Sequence, residues 1–89
     1  MENARYFKAI EKMAREEALF AVPVSSDPKC LTVHLFVSTG EDDWVQSCSF
    51  DMNLVIEWVD NGKPAGRQHV ANQIAKAKSL LRDHYGSSF

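Results

Sequence analysis

The rhythm of apolar and polar residues changes several times along the chain. Between Asn3 and about Leu19, Phe7, Ile10, Met13 or Ala14, and Ala18 recur at helical spacing, with Lys8, Glu11, Lys12, Arg15 and Glu16 around the rest. That pattern predicts an amphipathic helix with Asn3 as its N-cap. Pro23 interrupts the next stretch, so Phe20–Val24 reads as at best a short edge strand. After the turn SSDPK, the run CLTVHLFVS alternates cleanly. Leu31, Val33, Leu35 and Val37 share one face of a strand, and Thr32, His34, Phe36 and Ser38 share the other. The polar loop TGEDD leads to WVQSCSF, a strand with Trp44, Cys48 and Phe50 on one face. DMN reads as a turn, and LVIEWVD as a further strand opposing Leu54, Ile56 and Trp58 to Val55, Glu57 and Val59. From about Ala65 to Tyr85 a second helix is predicted, its stripe made by Val70, Ile74, Ala77 and Leu81, with Gly86 at its C-cap.

Helix, strands, helix, with short connections between the strands, predicts an antiparallel meander. Both helices carry one apolar stripe and the sheet has one strongly apolar face, so two layers follow. The expected class is α+β: a two-layer fold with a meander of three to four strands and the N- and C-terminal helices packed on one face. Residues 1–86 are read as a single domain and 87–89, the SSF end, as a flexible tail.

Composition narrows the setting. The chain has 89 residues, 45% of them hydrophobic and 25% charged, values ordinary for one globular domain. A domain of this size buries roughly 60–65% of the surface exposed when unfolded, a thin margin that a partner subunit would widen. Charges at Glu2, Arg5 and Lys8 break the N-terminal segment, which does not read as a secretory signal. No apolar run approaches the ~20 residues of a membrane span. The expectation is a cytoplasmic protein with no membrane partner and with Cys30 and Cys48 as free thiols.

The net charge of −2 conceals an asymmetry. Residues 1–19 hold four acids and four bases; residues 20–60 hold seven acids and one base; residues 61–89 hold one acid and five bases. The acidic middle and basic end make a dipole that serves a purpose, or else they attract each other within the fold or face water separately.

The stretch VDNGKPAGRQHV bears two glycines with Lys63 and Arg67 ahead of a helix, the setting of a phosphate cradle. A nucleotide-binding loop needs Gly-x-x-x-x-Gly-Lys-Ser/Thr, and here Gly66 is followed by Arg67 and Gln68. Asp60-Asn61-Gly62 is a turn signal and Pro64 a helix start, so punctuation is the leading reading. In element order, with basic residues at the start of the last helix, the chain resembles a double-stranded RNA-binding domain. That resemblance implies phosphate contacts at the start of the helix, with Arg67 standing for a first lysine; Gln68 and Ala71 occupy the other expected positions.

Other chemistries find little support. Cys30 and His34 project from the same side of a strand, but no Cys-x-x-Cys or four-ligand set accompanies them, so no metal and no cofactor are expected. Cys48 with His34 is a conceivable nucleophile–base pair without any catalytic motif around it. Glu41, Asp42 and Asp43 lack the calcium-loop pattern and read as a solvated hairpin tip. No catalytic residues are assigned.

The most informative surface is the second face of the sheet, where His34 and Phe36, joined by Val45, Val55 and Val59, make a partly apolar outer face. The leading expectation is a small non-enzymatic accessory protein that acts by protein–protein binding, as a homodimer, with His34, Phe36, Val55 and Val59 in the contact and Glu41–Asp43 supplying charge steering. Small acidic domains without catalytic motifs often serve as regulators or inhibitors, including those that phages and plasmids encode. The alternative is duplex RNA or DNA binding by the basic C-terminal helix through Lys63, Arg67, Lys76, Lys78 and Arg82, which the acidic sheet opposes. A further alternative is a small enzyme using Cys48.

Overall fold

A computed structural model of the chain describes residues 4–37 and 44–86. The elements run α1 (Ala4–Glu16), β1 (Phe20–Ser26), β2 (Cys30–Phe36), β3 (Val45–Asp51), α2 (Met52–Asn61) and α3 (Pro64–Tyr85). The strands form one antiparallel sheet in the order β1-β2-β3. The expected α+β class and meander are present, but LVIEWVD is not among the strands.

β1 is the short edge strand anticipated around Phe20–Val24, extended to Ser26. Its register shifts between Pro23 and Ser25, so a bulge sits beside the proline that cannot donate to a ladder. β2 alternates as its sequence predicts, with Leu31, Val33 and Leu35 buried. β3 buries Cys48 and Phe50. Trp44, expected on the same face, precedes the strand and lies 40% exposed, stacked on His84 of α3 at 4.3 Å between ring centroids.

The segment LVIEWVD is helical, not a strand. The Asp51 carboxylate accepts from the N–H groups of Asn53 (2.9 Å) and Leu54 (3.4 Å) and so caps a helix directly after β3. Met52 and Val55 are buried, and Ile56 and Val59 pack against the same core. The spacing 52, 55, 56, 59 is a helical stripe that the short alternation of Val55, Glu57 and Val59 obscures. Gly62, at φ +69°, ends α2 in the left-handed conformation, and Pro64 opens α3.

The three helices cover one face of the sheet. Ile10 and Ala14 of α1, Val55 of α2, and Val70, Ile74, Ala77 and Leu81 of α3 form one core with Leu31, Val33, Leu35 and Phe50 of the sheet. Just beyond α1 comes Ala18, whose φ is +62°, with Leu19 N–H donating to the Ala14 carbonyl and Ala18 N–H to the Arg15 carbonyl, both at 2.9 Å. This is a Schellman-type stop that turns the chain into β1. Asn3, the expected N-cap, lies outside the described residues.

Candidate functional site

The face of the sheet turned away from the helices is built by the register of the strands. Phe20 on β1, Phe36 on β2 and Val45 on β3 lie side by side in one row; Val22, His34 and Ser47 make the next row. The Phe20 and Phe36 rings stack at 5.8 Å between centroids. Phe36 and His34 are half-buried by their neighbours in the strands, whereas Phe20 and Val22 are each 45% exposed and Val45 41%. Val24, the bulge residue that pairs with nothing on β2, is 50% exposed beside them. Among the described residues the large exposed hydrophobics are these four together with Trp44 and Leu80, so most of the exposed apolar side chains gather in one place.

Two of the four contact residues expected from sequence belong to this face, His34 and Phe36. The other two do not. Val55 is buried in α2 and Val59 packs against the core from the same helix; with LVIEWVD helical, both turn inward on the far side of the sheet. Phe20, Val22 and Val24 replace them. They alternate around Pro23 on the short edge strand that the sequence predicts. Glu41, Asp42 and Asp43, expected to steer a partner by charge, lie outside the described residues.

The basic set divides among separate places. Lys63 is the N-cap residue of α3. Arg67 lines a groove between α1 and α3 that also holds Glu16 and Glu17. Lys76 lies on another side of the helix, beside Cys48. Lys78 donates to Glu17 at 3.0 Å, and Arg82 is exposed in the last turn. One cation is thus paired and another sits beside acids, so the five do not form a single stripe. Lys78 of the basic end pairs with Glu17 of the neutral N-terminal segment, not with an acid of the 20–60 stretch. On the other flank, Arg5 and Tyr6 both donate to the Asp60 carboxylate.

The two glycines of VDNGKPAGRQHV act as punctuation and as a packing contact. Gly62 supplies the left-handed cap of α2. Gly66 lies where α3 crosses α2 so closely that a Cβ would overlap the Leu54 carbonyl oxygen.

Cys48 and His34 sit on opposite faces of the sheet, which separates the imagined nucleophile from its base. Burial pushes the Cys48 thiol above its ordinary value of 9.0, with Lys76 pulling the other way, and its Sγ lies 3.9 Å from the Gln73 carbonyl. A protonated thiol is a poor nucleophile. Cys30 shares the outer face with His34, and both cysteines are free. Among the described residues no group of three metal-ligating side chains comes together, and no helix is long and apolar enough to cross a membrane. Comparison of the chain with protein-family models, with curated proteins and with solved structures gives no match.

Proposed function

We propose that this chain acts by protein–protein binding through the uncovered face of its sheet, and that a second copy of the chain is its first partner. The observation that carries this reading is the gathering of Phe20, Val22, Val24 and Val45 with Phe36 on one face of a small domain. Rows that hold no carboxylate, lysine or arginine let like meet like: Phe20, Phe36 and Val45, then Val22, His34 and Ser47. Burying such a face also enlarges a thin core. Three strands of seven residues project an area on the order of 300 Å², against ~800 Å² per partner in a standard interface. The dimer is therefore concentration-dependent, and the same face is open to another protein when the chain is dilute. That is the behaviour of a regulator or inhibitor-type accessory protein.

Light scattering across a concentration series tests this. Wild type shifts from monomer toward dimer as concentration rises, while Phe36→Asp stays monomeric with an unchanged circular dichroism spectrum. A wild-type protein that remains monomeric at millimolar concentration contradicts the homodimer. The nucleic-acid alternative has no single basic surface behind it. It requires salt-dependent binding to duplex RNA or DNA that Lys63→Ala and Arg67→Ala abolish.

A further inference from the structure

The two edges of the sheet are unlike. β1 is an edge strand protected in two ways, by Pro23 and by the adjoining bulge. β3, at the other edge, has neither. Its seven residues pair with β2 in an unbroken register from Val45 to Asp51, and its only charged residue is the last, Asp51.

The parity of β3 can be read from its end. The Met52 N–H donates toward β2, to the Lys29 carbonyl at 3.0 Å, while the Asp51 N–H donates away from β2, to His69 Nε2 of α3 at 3.0 Å. In an antiparallel strand the N–H and C=O of one residue point to the same side, and successive residues alternate. The main-chain groups of Ser47 and Ser49 therefore point out from the sheet at the open edge. α3 fastens onto this strand at both ends: His69 takes the Asp51 N–H, and the Tyr85 hydroxyl accepts the Trp44 N–H at 2.9 Å. Between these two fastenings a groove of about 180 Å³ runs between β3 and α3. Cys48 and Gln46 line it from the strand, and Lys76, Ala77 and Leu80 from the helix. Leu80 is 40% exposed there. Among the described residues Lys76 is the one charged residue that lines it.

We propose that this groove takes an extended peptide segment of a partner protein, added to β3 as a fourth strand, with an acidic side chain opposite Lys76 and apolar side chains toward Leu80 and Ala77. Strand addition supplies main-chain hydrogen bonds to Ser47 and Ser49, and the groove reads alternate side chains. The open length between the fastenings, Gln46 to Ser49, spans about four residues at ~3.4 Å each, or ~14 Å. Charge argues for an acidic peptide over a second copy of β3. Pairing two β3 strands about a two-fold axis near Cys48 would bring two Lys76 ammonium groups together, whereas a glutamate neutralises one. This site is separate from the outer face, because Ser47 and Ser49 use their main chain here and not their side chains.

The test is an NMR titration of isotope-labelled protein with the peptide acetyl-Val-Thr-Glu-Thr-Val-amide, whose first, third and fifth side chains fall on one side. Two control peptides accompany it: one with lysine for the glutamate, and one N-methylated at every interior amide. The expected result is saturable amide shifts centred on Ser47 and Ser49, weaker by roughly threefold for the lysine peptide and absent for the N-methylated one. Lys76→Glu reverses the order of the two charged peptides. No saturable shift at millimolar peptide, equal response to both charges, or binding by the N-methylated control each overturns the proposal. Concentration-dependent shifts at Ser47 and Ser49 without peptide that persist in Phe36→Asp, where the outer face no longer self-associates, also overturn it, in favour of pairing between two β3 strands.

Discussion

At the scale of single residues, three positions are set by backbone geometry or burial in ways that make opposite predictions. Ala18 holds a φ of +62° at the end of α1, a conformation that costs a residue with a Cβ about 1 kcal/mol or more relative to glycine. Ala18→Gly therefore raises stability by about 0.5–1 kcal/mol, read as a higher urea midpoint at unchanged m-value. Gly66→Ala does the reverse. Its Cβ would meet the Leu54 carbonyl oxygen and lie 2.7 Å from the Trp58 Cβ, and neither backbone nor Cβ can swing aside. The expected loss is about 3 kcal/mol and a Tm drop of more than about 10 °C. A Gly66→Ala protein with wild-type Tm would mean that α2 and α3 do not cross there. The buried Cys48 thiol has its pKa raised above 9.0, chiefly by desolvation. Below that pH both folded and unfolded chains keep the proton, and the thiol's contribution is intact. As pH rises past 9.0 the unfolded chain ionises first and folding loses ground. The Tm advantage of wild type over Cys48→Ala consequently narrows above that pH, in thermal melts run through the alkaline range.

At the scale of elements, both long helices and the middle strand were legible because each is dominated by one period. Val70, Ile74, Ala77 and Leu81 repeat over enough turns that no strand pattern competes. Leu31, Val33 and Leu35 alternate between half-buried neighbours. The segment after Asp51 was not legible in that way. Leu54 to Val59 is short and rich in residues that favour strands, and over six residues the two periods overlap. What decides for the helix is the Asp51 cap and the packing of α2 on α3 through Gly66, a contact between segments that no local pattern carries. The consequence for the candidate site is direct: Val55 and Val59 leave the face with the segment, and Phe20 and Val22 enter it from the edge strand that Pro23 interrupts. The cap itself can be tested. Asp51→Ala removes the acceptor for two N–H groups and costs about 1 kcal/mol, while Asp51→Asn retains most of it. Equal urea midpoints for wild type and Asp51→Ala would remove the cap from the account.

At the scale of the whole molecule, the helices are spent on one side of the sheet, and the other side is left with the largest gathering of exposed apolar side chains among the described residues. The asymmetric charge along the chain does not produce one basic surface, since Lys78 is tied to Glu17, Arg67 shares a groove with Glu16 and Glu17, and Lys76 sits beside Cys48. Such exposed or half-exposed ion pairs contribute at most about 1 kcal/mol each, so the fold rests on its core and tolerates their loss. The outer face is different: its apolar side chains are exposed, and under the function proposed above a second copy of the chain covers them. The most direct measurement is an isotope-filtered NMR experiment on a mixture of labelled and unlabelled chains at high concentration, which detects only contacts between copies. The account predicts intermolecular contacts from the rings of Phe20 and Phe36 and the methyl groups of Val22 and Val45, all lost in Phe36→Asp. Intermolecular contacts confined to the helical side, or none at all from the outer face, would contradict it.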